Sequence, residues 1–144
     1  MLAKVFKGSA DYAPLVLRLA LALVFIAHGY QKLFVMGVGA VAEMFAGLGI
    51  PLASVSAWVV ALVEFVGGIC LLLGLLTRYA ALLISIVMVV AILKVKLAVG
   101  LIAPMGTPMP GAELDVALLA AAVSIVLAGP GKWALERTLF KQEL

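Results

Sequence analysis

The sequence predicts an all-α integral membrane protein: a four-helix bundle with both termini in the cytoplasm and a short interfacial helix after the first span. Three observations carry this. Of the 144 residues, 67% are hydrophobic and 12% charged, and the mean hydropathy is +1.32; soluble domains run nearer half apolar and a quarter charged. A domain of this size has too little interior to hide that much apolar surface from water, which leaves lipid as the solvent. Four long apolar stretches, separated by Gly, Pro and Lys/Arg, supply the helices, and the charges between them fall unevenly on the two sides. The length allows a single transmembrane domain, residues 1–144, with no appended soluble module.

The first predicted span is 12–34. About 20 apolar residues cross the hydrocarbon core, and this stretch suffices if Arg18 and His28 are accommodated. A secretory signal peptide led by Lys4 and Lys7 fits less well, because Arg18 interrupts the passage into the apolar region and no Ala-x-Ala cleavage pattern follows. Residues 37–51 (GVGAVAEMFAGLGIP) are too short and Gly-rich to span. Val38, Val41, Phe45 and Leu48 recur there at helical spacing, which predicts a brief interfacial or re-entrant helix. Pro51 then sits where the next helix can start.

The second span is 52–76, with Glu64 near its centre and Gly67–Gly68 after it. A tight turn at Leu76-Thr77-Arg78 leads into the third, 79–97, which is uncharged as far as residue 93 and closed by Lys94 and Lys96. Residues 98–112 hold three prolines and three glycines without a charge, a loop folded onto the outer membrane face. The fourth span, 113–129, is Ala-rich and stops at Gly129-Pro130-Gly131. A short amphipathic tail follows, with Trp133 as its interfacial anchor.

Four spans put Lys4, Lys7, Arg78, Lys132, Arg137 and Lys141 on one side, against Lys32, Lys94 and Lys96 on the other. The positive-inside rule makes the first side cytoplasmic. The net charge of +3 is scattered over helix ends with no basic stripe, which excludes nucleic acid as a partner. One cysteine, Cys70, excludes an intramolecular disulfide and a Cys-x-x-Cys redox pair. One histidine, His28, excludes bis-His haem ligation and a His-rich metal cluster, so neither a metal site nor a covalent cofactor is predicted. Small residues four apart (Ala57 and Ala61; Ala81 and Ser85; Ala120, Ser124 and Ala128) let membrane helices approach closely.

A charge inside the bilayer is costly unless paired, which makes it a functional candidate. Arg18, His28 and Glu64 are the deep ones. With a rise of ~1.5 Å per residue, His28 lies roughly 9 Å in from the outer end of the first span and Arg18 roughly 9 Å in from its inner end. Glu64 falls near the midplane, under about 10 Å in depth from Arg18, which makes the two partners. Lys32 stands one turn above His28 on the same face, and Lys94, Lys96, Glu113 and Asp115 arrive at the same level. The candidate polar pocket therefore comprises Arg18, His28, Lys32, Glu64, Lys94, Lys96 and Glu113. It opens outward, beneath the Gly/Pro-rich loop and the interfacial helix. Two readings stay open. The charges pair to fix helix register, or they form a proton-linked or quinone-binding site in which His28 and Glu64 exchange protons and Lys32 steadies an anionic head group. No spacing singles out a catalytic residue.

The runs RLALALVFIAHGYQKLF, VEFVGGICLLLGLLTRYAALL, GAELDVALL and GPGKWALER together resemble the DoxX family of bacterial membrane proteins. That family's pattern falls on Arg18, His28, Gly29, Lys32, Glu64, Gly67, Gly68, Thr77, Arg78, Glu113, Gly129 and Gly131, over roughly residues 12 to 138. The ending departs from it: WALER stands where a Ser-Asp-Arg variant is expected. The resemblance implies four transmembrane helices in the bacterial cytoplasmic membrane and an association with membrane redox chemistry. The family takes its name from a small subunit of a thiosulfate:quinone oxidoreductase, and other members are linked to complexes handling thiol or oxidative stress. The expectation is a subunit of a quinone-linked membrane oxidoreductase or oxidative-stress complex. Its cofactor would be a non-covalently held quinone, and its partners the lipid bilayer, a membrane or soluble redox protein, and further copies of the chain. A non-catalytic scaffold or assembly factor is the alternative. A small proton-linked transporter is a third reading, although no inverted repeat or broken helix marks one.

Overall fold

Apolar runs become helices here, the one proline inside a helix among the described residues (Pro14) falling in a first turn, and a glycine lies at or soon after the end of each of the five longer ones. The computed structural model describes residues 9–140, so Lys4, Lys7 and Lys141 of the topology argument lie outside the described residues. Helix α1 is Tyr12–Tyr30 and runs on into a π-helical turn, Gln31–Val35. Helix α2 is Val38–Gly47, α3 is Ala53–Leu73, and α4 is Thr77–Ala91, extended by a second π-helical turn, Ile92–Lys96. Helix α5 is Glu113–Ala128 and α6 is the short Leu135–Leu139. Among the described residues there is no β-strand.

Three helices are long and apolar enough to cross a membrane: Tyr12–Val35, Ala53–Leu73 and Thr77–Lys96, of 24, 21 and 20 residues. Helix α5, at 16 residues, reaches only about 24 Å against a hydrocarbon core of about 30 Å. The short helix expected within 37–51 is present as α2. The loop after α4 holds no helix, and its two ends are tied together. Ala112 N–H donates to the Gly100 carbonyl and Glu113 N–H to that of Leu101, both at 3.1 Å.

Helix α1 packs along α3, α3 on α4, α4 on α5, and α5 back on α1, closing a ring of four; α2 lies outside the ring against α3. The ring interior is filled by Leu21, Ala22, Phe25, Leu71, Ile84 and Ile125. Its outside is also apolar, with Val16, Leu23, Val55, Ile86 and Leu127 more than half exposed. A soluble monomer rarely exposes such continuous apolar surface. Lipid removes the difficulty.

Two glycines set the register between α1 and α3. A Cβ on Gly29 would lie 2.6 Å from the Phe65 Cα, and one on Gly68 would lie 2.8 Å from the Ile26 nitrogen. The backbones touch at both points. In this antiparallel register Glu64 stands opposite residue 30, and α3 begins well beyond the outer end of α1. That overhang is where α2 docks, with Val41 and Phe45 against Ala57. Of the small residues expected at helix contacts, Ala57, Ala61, Ala81 and Ser85 are buried. Ala120, Ser124 and Ala128 are not. They lie on the outer face of α5, which turns Ala122 and Ile125 inward instead.

Candidate functional site

The outer half of the ring encloses a cavity of about 300 Å³ between α1, α3, α4 and α5. One part of its wall is apolar: Val24, Phe25, Val87, Met88 and Leu118. The rest carries His28, Lys32, Glu64, Lys96, Glu113 and Asp115, with Pro110 and Gly111 of the loop closing over them. Five of the seven residues expected to share a polar pocket therefore meet in it, and Asp115 joins them.

The two π-helical turns lie at this level, one ending α1 and one ending α4. An inserted residue widens the turn and re-aims the side chains around it. Lys32 sits on the first and Lys96 on the second, and both reach the cavity. Lys32 Nζ donates to Glu64 Oε2 in direct contact, with the two side chains 15% and 8% exposed. Lys96 Nζ donates to the Pro110 carbonyl at 3.2 Å and lies 3.9 Å from Asp115 Oδ2. Glu113 and Asp115 occupy the first turn of α5, where the positive end of the helix dipole favours carboxylates. His28 and the Glu113 carboxylate make no hydrogen bond or ion pair with other described residues. Gly111 is required beside Glu113, since a Cβ there would collide with the Leu101 carbonyl and the Glu113 carboxylate.

Two expected members are elsewhere. Lys94 is exposed and does not line the cavity. The pairing of Arg18 with Glu64 does not form. Depth counted from each helix's own end assumes that the ends are level, and the overhang of α3 makes them uneven. Glu64 faces residue 30, which is twelve positions, or about 18 Å along the axis, from Arg18. Lys32 takes its place. Nor does α2 cover the cavity; no residue of that helix lines it.

Arg18 instead closes the inner end of the ring. Buried at 1% exposure, its guanidinium donates to the Leu71 and Leu72 carbonyls at 3.0 and 3.3 Å, and to those of Lys132 and Trp133 at 3.0 Å each. The last carbonyls of a helix have no partner within it, and Leu71 and Leu72 are among these in α3. Glu136 works beside it. Fully buried, its carboxylate accepts from Thr77 N–H at 3.0 Å and Thr77 Oγ1 at 3.2 Å, capping α4, while its own N–H donates to the Gly74 carbonyl. These bonds hold the three-residue α3–α4 turn, in which Gly74 and Leu76 adopt left-handed φ values of 69° and 47°. Gly74 leaves room for the Arg18 guanidinium and for Ala134, whose Cα a Cβ would approach to 2.7 Å. Outside this latch the tail is anchored by Trp133, edge-on to the Tyr12 ring at 6.0 Å, and by Lys132 at 5.8 Å from the same ring. The role of Glu136 is absent from the sequence-based expectation. Its signal was a carboxylate five residues after a Gly-Pro-Gly break, set among apolar and basic residues.

Residues 13–97 match the DoxX family model. The chain belongs to the DoxX family. Its DoxX segment runs from α1 through the end of α4 and so holds Arg18, His28, Lys32 and Glu64, while α5 and the tail lie beyond it. The chain is 32% identical over 133 residues to a Bacillus subtilis protein named "Putative oxidoreductase CatD", covering 92% of this chain and 91% of that one. It is 36% identical over 135 residues to the uncharacterized membrane protein Rv3486 of Mycobacterium tuberculosis, covering 88% of this chain and 80% of the other. No solved structure matches. This DoxX protein is a membrane protein whose apolar helices sit in a lipid bilayer.

Proposed function

We propose that this chain is the membrane-embedded, quinone-binding subunit of an oxidoreductase complex in the bacterial cytoplasmic membrane, with four spans and both termini cytoplasmic. Helix α5 is the fourth span. Its short length is offset where Glu113 and Asp115 at one end and Gly129 at the other let the bilayer thin locally. Arg78, Lys132 and Arg137 gather at the inner end, which supports the orientation.

The observation that carries the functional reading is the cavity's division into an apolar wall and a polar one. A quinone presents the same division, an apolar ring and chain beside two carbonyl oxygens. The residues present fit it: Phe25, Met88 and Leu118 against the ring, and His28 and Lys32 within the same cavity as hydrogen-bond donors. A bound quinone would supply two-electron chemistry that no side chain of this protein offers. The electron donor would be bound by a partner protein. The name of the Bacillus relative is compatible with this.

Purified protein titrated with a short-chain naphthoquinone should bind it saturably, and His28→Ala and Glu64→Gln should weaken binding at least tenfold. No binding would end this reading. The scaffold alternative draws on the outward stripe Ala120, Ser124 and Ala128 of α5, a surface suited to another helix. It expects His28→Ala to leave quinone binding untouched and Ser124→Leu to reduce recovery of an intact complex in mild detergent.

A further inference from the structure

The charges of the outer cavity do not balance, and their imbalance has a sign. Every ionisable group that lines it is accounted for by element: His28 and Lys32 from α1, Glu64 from α3, Lys96 from α4, and Glu113 and Asp115 from α5. Each cation is answered. Lys32 is in contact with Glu64, and Lys96 lies 3.9 Å from Asp115. Glu113 is the remainder, a carboxylate with no cation of its own among the described residues. With His28 neutral the cavity carries one surplus negative charge, and with His28 protonated it carries none. In neither state is the net charge of the lining positive.

We infer that this cavity selects an electroneutral ring ligand and turns anions away. The inference rests on the quinone reading and narrows it. An anion entering the site would find both ammonium charges already neutralised, and could gain a counter-charge of its own only by drawing Lys32 off Glu64 or Lys96 off Asp115. The first exchange strands a carboxylate that is buried within the ring, and buried unpaired charge is among the most costly arrangements a protein can hold. The entering anion would also approach Glu113 across a cavity of only about 300 Å³. Like charges across a cavity of that size repel, and the apolar wall of Phe25, Met88 and Leu118 weakens the screening between them. A neutral ring meets neither obstacle. It can take hydrogen bonds from the Lys32 ammonium with its ion pair intact, since a lysine has three donors and Glu64 engages one of them. Lys32 thereby orients a carbonyl rather than compensating an anionic head group.

A division of labour follows. An anionic, water-soluble reductant is not this cavity's substrate. The reaction that oxidises it takes place on a partner protein, which delivers electrons to the neutral ring bound here.

The test compares two probes on the purified full-length protein by equilibrium dialysis in mild detergent at fixed ionic strength. One is a methyl-naphthoquinone and the other is the same ring bearing one sulfonate. The neutral ring is expected to bind at least tenfold more tightly. Glu113→Gln should shrink that ratio at least threefold, chiefly by improving the sulfonate's binding. Its melting temperature should fall by no more than a few degrees, because the side chain has no ion pair to lose and gives up only its interaction with the α5 dipole. Glu113→Asp should restore the ratio. Equal or tighter binding of the sulfonate would overturn the selection and leave the quinone site standing. A ratio unchanged by Glu113→Gln would also overturn it. If neither ring binds, the quinone reading and this inference fall together.

Discussion

Arg18 and Lys32 lie on the same helical rod, fourteen residues apart, and each is met in a different way. Arg18, at the inner end, is held by four backbone carbonyls and stands beside Glu136, itself fixed on Thr77. The segments involved are distant in sequence. Lys32, at the outer end, has one carboxylate partner, lines a cavity, and sits among groups with unfilled hydrogen-bonding capacity. Backbone acceptors cannot move without moving the helices that carry them, whereas a side-chain partner can rotate. The inner end is therefore built to stay shut. The outer end is built so that polar groups can be reached without unfolding anything.

Breaking the inner end should have the largest effect. Arg18→Ala takes a donor from each of four backbone carbonyls and leaves the buried Glu136 carboxylate without its neighbouring cation, a loss of about 3–5 kcal/mol. Thermal unfolding in detergent should show little folded protein. A melting temperature near wild type would mean that the tail does not hold the ring closed.

At the outer end, Lys32→Met alone strands Glu64 and should cost about 3 kcal/mol, while the double change Lys32→Met with Glu64→Gln should recover most of it, because a buried ion pair is often near neutral overall. The same double variant should lose quinone binding. Recovery of stability without recovery of binding separates the outer end from the inner, where no such exchange is available. A double variant as unstable as the single one would show that the pair is structural in the manner of Arg18.

The smallest effect sharpens the comparison at the seam between the two ends. Gly68→Ala drives a Cβ into the Ile26 backbone and should cost about 1–3 kcal/mol by overpacking. Its neighbour Gly67→Ala would meet only the Ile84 side chain, at 3.5 Å, an ordinary contact. It should gain up to about 1 kcal/mol of helix propensity. Opposite shifts of two adjacent glycines in one melting experiment would establish the close approach of α1 and α3; equal shifts would refute it.

The helices were legible because their signals are local. The first expected span, 12–34, matches a helical rod ending at Val35, and the fourth, 113–129, matches a helix ending at Ala128. Apolar run, glycine stop and proline break are all contained within the segment they delimit. The membership of the outer cavity was partly legible for the same reason: His28, Lys32, Lys96 and Glu113 each lie within about two turns of one end of their own helix, whereas Glu64, midway along α3, reaches the cavity only through that helix's offset. What escaped was relative depth. The offset between α1 and α3 depends on which glycine meets which backbone, a property of two segments together that neither reveals alone. That offset redirected Glu64 from Arg18 to Lys32. Glu136 escaped because a carboxylate in an amphipathic tail looks solvated until the tail is seen tucked against Gly74.

The latch on Arg18 also has a direction in time. Its last acceptors, Lys132 and Trp133, are 114 and 115 residues further along the chain. At a synthesis rate of about 5–20 residues per second, on the order of ten seconds pass between the appearance of the guanidinium and that of its partners. During that interval the remaining helices are made one after another, and the guanidinium meets only the Leu71 and Leu72 carbonyls until the tail arrives. The newborn protein is finished from its final dozen residues backward. A ribosome that stalls or a message truncated just before Lys132 would leave the inserted helices without the carbonyls that complete the latch on Arg18.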